Sequence, residues 1–133
     1  MEKFAFIIHP LSLADMEHLS PIMKYIPDKV LEACLKMKKP FKVSHITGIK
    51  SPYAEAEGWF VGCPLTAKQM VELPEEFVMD RIIESGRVAQ QLGAKIVGLG
   101  AFTSIVGDAG ITVAKNLDIA VTSGNSYTVA TAI

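Results

Sequence analysis

The chain has 133 residues, half of them hydrophobic and 20% charged, so it can form one domain with a buried core and is not a disordered protein. Its net charge of -1 argues against a nucleic-acid-binding surface. Its apolar runs are shorter than the ~18 residues that cross a bilayer, and the apolar start is too short for a signal peptide. The two cysteines, Cys34 and Cys63, form no disulfide framework, so we expect reduced thiols and a cytoplasmic location.

Helical and extended patterns alternate from the start of the chain. Up to residue 62 they predict a strand over residues 3–9, a helix capped by Ser12, a helical restart at Pro21, a helix after Pro27 that ends before Pro40, and strands over residues 41–49 and 58–62. The polar stretch 50–57 joins the last two strands and predicts a hairpin.

The second half continues the alternation. It predicts a short helix capped by Thr66, a long helix from Pro74 to Gly93, an apolar strand over residues 95–99, a short helix capped by Asp108, a strand over residues 118–121 and a final helix over residues 127–133. The final helix shows no C-terminal cap, so we expect the chain to stop within an element. The pattern predicts an α/β domain with a mixed, mainly parallel sheet flanked by helices.

Three short motifs look chemical but favour structural interpretations. The glycines at 98 and 100 follow a strand, but Thr103 stands where a dinucleotide fingerprint needs a third glycine, so the glycines are expected to allow a close backbone approach. Pro27 interrupts the spacing between Tyr25 and Lys29 that a Tyr/Lys catalytic pair needs. Cys63 has no identifiable base and is predicted to be a small buried thiol. The three histidines lack metal-ligand spacing, so no metal site is predicted.

Two polar loops, over residues 100–105 and 122–128, are the candidate binding site. Both follow apolar strands that a helical crossover should make parallel, so the loops should meet at one sheet edge. Their hydroxyls, amide and backbone N–H groups suit a carbonyl, carboxylate or phosphate, whereas plain helix capping is the alternative for the second loop. The predicted substrate-binding residues are Phe102, Thr103, Ser104, Ser123, Gly124, Asn125 and Thr128. Phe102 and Ile105 would supply an apolar wall for an aliphatic chain.

These two loops carry a family resemblance. Residues 99–105 and 122–128 resemble the Leu-Gly-Gly-Phe-Thr-Ser-Ile and Thr-Thr-Gly-Asn-Thr-His-Thr stretches of cyanobacterial long-chain acyl-[acyl-carrier-protein] reductases, which belong with shikimate-dehydrogenase-like predicted amino-acid dehydrogenases. The start of the chain, with His9, Ser12 and Leu13, resembles the start of that family. Tyr127 departs from the pattern, because a histidine stands there in the family.

The resemblance implies the N-terminal, substrate-side domain of an NAD(P)-dependent oxidoreductase that reduces an acyl thioester to an aldehyde. NADPH and the acyl-accepting cysteine would then belong to a Rossmann domain outside this chain. A small amino-acid or hydroxy-acid dehydrogenase and a non-catalytic ligand-binding or docking domain are the alternatives. Eight of the thirteen basic residues lie in the first fifty. They are expected to form either a solvated surface or a binding surface for an acidic partner such as an acyl carrier protein. A homo-oligomer is also possible.

Overall fold

A computed structural model describes residues 1–10, 12–14, 20–104 and 106–133 of the chain. In chain order its elements are β1 (Glu2–Ile8), the 3-10 helix η1 (Pro21–Tyr25), α1 (Asp28–Met37), β2 (Phe41–Lys50), β3 (Glu55–Gly62), α2 (Ala67–Glu72), α3 (Glu75–Gln91), β4 (Ile96–Leu99), the 3-10 helix η2 (Ala101–Ser104), α4 (Ile111–Lys115), β5 (Ala120–Thr122) and α5 (Asn125–Ala132). The alternation of helices and strands predicted from the sequence is confirmed.

The strands form one five-stranded sheet in the order β2-β3-β1-β4-β5. Strand β1 runs parallel to β3 and to β4, and β4 runs parallel to β5, whereas β2 pairs antiparallel with β3 as the predicted hairpin requires. The mixed, mainly parallel sheet flanked by helices is therefore confirmed. The register places Ile7 of the central strand between Val61 and Leu99, at the middle of the domain.

One face of the sheet carries the core. Alternate residues of β1, β3 and β4 point toward α3, whose Val78 and Ile82 are fully buried. Helix α3 contacts β1, β2 and β3, while α4 contacts α3 and β5, so both crossover helices lie on this covered face. Gly86 of α3 lets Leu117 approach closely, because a Cβ at residue 86 would lie 2.4 Å from its Cδ1 atom.

Some boundaries differ from the predictions, among them the start of β3, which begins at Glu55 rather than at residue 58. Helix α4 begins at Ile111, after Gly110 in the left-handed conformation with φ of 95°, rather than at Asp108. Asp108 still acts at this end, because its carboxylate accepts the backbone N–H of Thr112 at 3.0 Å. The helix predicted to start at Ser12 falls largely on residues 15–19, which lie outside the described residues.

Within the described ranges, the helices are too short or too polar to cross a bilayer.

Candidate functional site

The ends of the four parallel strands meet at one edge of the sheet, which we call the carboxyl edge. It is formed by the segments that follow Ile8, Gly62, Leu99 and Thr122. The pairing of Gly98 with Thr122 puts the two predicted polar loops on neighbouring strands. The predicted parallel pairing of these two strands is confirmed, so both loops follow strands that end at the same edge. Open α/β sheets bind ligands at this edge.

In the first polar loop, Thr103 does not face outward. It is 1% exposed, and its hydroxyl donates to the carbonyl oxygen of Gly100 at 2.6 Å, closing the η2 turn. This corrects the expectation that its hydroxyl faces a substrate cleft. Ser104 is half-buried beside it. The backbone of Phe102 lies in η2, whereas its side chain and all of Ile105 fall outside what the structure describes, so the apolar wall predicted from them stays a prediction.

The second polar loop contains the start of helix α5. Gly124 adopts the left-handed conformation with φ of 75° at the N-cap. Ser123 is half-buried, and its hydroxyl accepts the N–H of Asn125 at 3.4 Å, whereas the exposed Thr128 donates its hydroxyl to the carbonyl of Gly124 at 3.1 Å. Asn125 is exposed at the start of the helix. These local hydrogen bonds are typical of the first turn of a helix. A binding role for this loop stays a prediction.

A cavity of about 420 Å³ lies beside the ends of β1 and β3, at the same edge. Its volume is in the range of small-molecule sites. The lining comes from the loop after β1, η1, α1 and the start of α2, and consists of Ser12, Leu13, Ala14, Met23, Lys24, Ile26, Asp28, Leu31, Glu32, Thr66 and Lys68. Apolar and charged side chains therefore share one small concave surface.

The charged lining of this cavity is balanced. Lys68 pairs with Glu32, with their Nζ and Oε1 atoms 3.8 Å apart. The ammonium of Lys24 lies 5.1 Å from the ring centre of Tyr25, and Asp28 is the first residue of α1. Within the described part of the chain, Lys24 and Asp28 take part in no ion pair. One cation and one anion thus remain available to a ligand.

Hydrogen bonds of Thr66 and Gln69 fix the start of α2, which lines one side of the cavity. Thr66 begins α2 with a capping box, in which its hydroxyl accepts the N–H of Gln69 at 3.2 Å and its own N–H donates to the Gln69 side chain at 3.0 Å. The Gln69 amide also donates to the carbonyl of Glu32 at 2.9 Å, which ties α2 to α1. Sequence reasoning identified Thr66 as a cap but missed the cavity, because the elements around it meet only through long-range packing.

The glycines of β4 serve packing within the domain. A Cβ at Gly98 would lie 2.4 Å from the ring of Phe6, and one at Gly100 would lie 3.0 Å from the carbonyl oxygen of Ile7. The predicted close approach is confirmed, and the group approached at residue 98 is an aromatic side chain. The strand is followed by the four-residue η2 rather than by a helix whose N-terminus could face a pyrophosphate.

We therefore expect the 133-residue chain to bind no dinucleotide. Isothermal titration with NADPH should give only heats of dilution, because the glycine backbone at β4 is occupied by Phe6 and no long helix follows it. Gly124→Ala, in an open loop, provides a control for any weak signal from the second polar loop. Saturable binding with a micromolar dissociation constant would contradict this prediction.

Two further motifs take the structural roles predicted for them. Cys63 is fully buried, and burial raises the pKa of its thiol to about 11 despite a hydrogen bond with Ser85. Tyr25 ends η1 and Lys29 lies in α1, so the two do not share a helical face. Neither the buried thiol nor the Tyr/Lys spacing forms a catalytic arrangement.

The chain is similar in sequence to a known protein. No family model matches the chain. The chain is 31% identical over 139 residues to the aminotransferase PigE of Serratia sp. (strain ATCC 39006), an alignment that covers 95% of this chain and 16% of the relative. The chain thus spans about a sixth of the length of that curated relative. The name corrects the oxidoreductase class expected from the family resemblance, because the relative is an aminotransferase.

Proposed function

We propose that this domain is a non-catalytic ligand-binding module of an aminotransferase-type protein, and that it holds a small zwitterionic molecule, such as an amino acid, in the cavity at the carboxyl edge. The observation that carries the proposal is the cavity of about 420 Å³, which combines an available cation, an available anion and apolar side chains. The similarity to an aminotransferase supports the class of ligand.

The lining fits the three parts of such a ligand. The ammonium of Lys24 would attract a carboxylate, and the carboxylate of Asp28 would attract an ammonium group. Leu13, Met23 and Ile26 would contact an apolar side chain. A zwitterion would place an opposite charge against both side chains, whereas a ligand with net charge would pair with only one of them.

The proposal assigns binding rather than chemistry to the domain. Among the described residues there is no group of three or more potential metal ligands, and the one buried thiol has a raised pKa. An exposed cysteine, Cys34, fits a reducing compartment such as the cytoplasm. The acidic partner predicted from the lysine-rich first fifty residues stays a prediction.

The cavity is tested by titrating the chain with a panel of amino acids, 2-oxo acids and simple amines. We expect saturable binding of at least one amino acid, weakened about 10- to 100-fold by Lys24→Gln or Asp28→Asn, because each removes one charge-assisted hydrogen bond of about 1.5–3 kcal/mol. Lys115→Gln, on exposed α4, is the matched control and should leave the dissociation constant unchanged. Equal affinity in all three variants, or binding of none of the panel, would contradict the proposal.

A further inference from the structure

The charged and the apolar side chains of the cavity at the carboxyl edge differ in burial. Lys24 and Asp28 are exposed, and the side chain of Lys68 is 64% exposed, so these charged groups lie at the mouth of the cavity. Leu31 is 7% exposed and Thr66 is 3% exposed, so these two residues are the most buried part of the described lining. We call them the floor of the cavity. A ligand held by charges at the mouth would therefore direct its remaining atoms toward the floor.

Helix α1 joins the mouth to the floor. Asp28 is the first residue of this helix and Leu31 lies three residues later, so their side chains share one helical face. At 1.5 Å per residue, Leu31 lies about 4.5 Å further along the helix axis. An amino acid whose ammonium group pairs with Asp28 would therefore reach Leu31 with a side chain of about three or four carbon atoms, at ~1.5 Å per bond.

The polar groups of the floor are engaged in hydrogen bonds of the protein. The Thr66 hydroxyl accepts the N–H of Gln69 at 3.2 Å and donates to the Oε1 atom of the same residue at 3.5 Å. The Gln69 amide in turn donates to the carbonyl oxygen of Glu32 at 2.9 Å. Within the described residues, every buried side-chain nitrogen and oxygen atom has a hydrogen-bond partner. The floor thus presents carbon atoms and polar atoms that are already bonded.

We propose that the cavity selects amino acids with a medium-sized alkyl side chain, such as leucine or norleucine, and discriminates against polar side chains of the same shape. This inference rests on the proposed function, because the charges at the mouth must hold the α-ammonium and α-carboxylate groups. A polar side chain at the floor would lose its hydrogen bonds to water and gain none in exchange, whereas an alkyl side chain loses no hydrogen bond. Leu31 is then a residue that determines specificity.

Isothermal titration with amino acids of matched shape tests the selectivity in the wild-type chain. Leucine and asparagine both branch at Cγ, and both are zwitterions, so Lys24 and Asp28 contribute equally to the binding of each. We expect leucine to bind at least about 10-fold more tightly than asparagine, because the amide would be buried without a partner. In the series 2-aminobutyrate, norvaline and norleucine, each added methylene should tighten binding about fourfold.

Substitutions at the floor test the role of Leu31. Leu31→Asn adds an amide to the floor and should bring the ratio of leucine to asparagine affinity to about one or below. Val30→Asn is the matched control, because it adds the same amide to the neighbouring residue of α1, which is 48% exposed and is not part of the described lining. Leu31→Met keeps the volume and the apolar character of the side chain, so it should keep the preference for leucine. Circular dichroism shows whether each variant is folded.

The outcomes separate this inference from the proposed function. Equal affinity for leucine and asparagine, in a chain whose amino-acid binding is weakened by Lys24→Gln or Asp28→Asn, would overturn the selectivity and leave the ligand-binding function standing. Tighter binding of asparagine than of leucine would do the same. No binding of any amino acid would overturn both. A preference for leucine that a folded Leu31→Asn variant retains would overturn the role of Leu31.

Discussion

Replacing Ile7 with alanine is expected to lower the free energy of unfolding by about 2–5 kcal/mol. Ile7 is fully buried in the central strand, where its neighbours across the sheet are Val61 and Leu99. Truncation loses the transfer free energy of the side chain and leaves a cavity that packed neighbours fill only in part. Urea denaturation followed by Trp59 fluorescence measures the loss, since that residue lies in the same core.

The matched control is Ile111→Ala. Ile111 is 56% exposed on α4, so the same truncation there should change the free energy of unfolding by less than about 0.5 kcal/mol. Equal losses in the two variants would mean that the central strand is not the middle of the core. A reduced dependence of unfolding on urea in Ile7→Ala would instead indicate loss of the two-state transition.

Local patterns were sufficient to predict the elements of this fold. Proline at residues 27 and 74 precedes a helix in each case, and the caps of α2 act as their residue types predict. The predicted start of α4 was wrong because Gly110 takes a left-handed conformation that delays the helix, while Asp108 reaches past it to Thr112. A sequence pattern gives the residue that can cap a helix but not the backbone path between the cap and the helix.

The candidate site could be predicted only in part. The crossover rule correctly placed the loops after β4 and β5 at one edge, because parallel neighbours end together. It could not predict that the Thr103 hydroxyl turns inward to Gly100, since this depends on the 3-10 conformation of η2. The cavity at Lys24 and Asp28 combines residues of four segments, and their meeting depends on packing that no local pattern encodes.

The exposure of apolar side chains on one face of the sheet also could not be predicted from the sequence. Strands such as β1 and β4 are apolar at nearly every position, and this pattern is typical of strands covered on both faces. Among the described residues, α3 and α4 cover one face of the sheet, and Phe6 and Ile96 on the other face are exposed. The apolar pattern of β4 therefore predicted a strand within a covered sheet, but it could not predict which of its side chains are exposed in this chain.

In the folded chain, Cys34 should be alkylated at least about 100-fold faster than Cys63. With a pKa of about 11, the Cys63 thiol is ionised in roughly one molecule in 1,000 at pH 8, and its burial also keeps the reagent away. Cys34 is exposed and should be alkylated quickly by iodoacetamide, while Cys63 should react only after unfolding. Mass spectrometry of the labelled protein identifies the modified residue, and Cys34→Ser provides the control. Rapid labelling of Cys63 in the folded chain would contradict both its burial and its structural role.

The same thiol makes stability depend on pH in the alkaline range. Burial raises the pKa of Cys63 from 9.0 to about 11, so between these values the folded state keeps a proton that the unfolded state loses. The full stability is therefore present below pH 9 and falls as the pH rises toward 11, by about 3 kcal/mol for two units of pKa.

Cys63→Ala removes the titrating group, so its free energy of unfolding should be lower near neutral pH but should fall less steeply between pH 9 and 11. Urea titrations of both proteins at several pH values measure the two slopes. Parallel slopes would show that groups other than Cys63 govern alkaline unfolding.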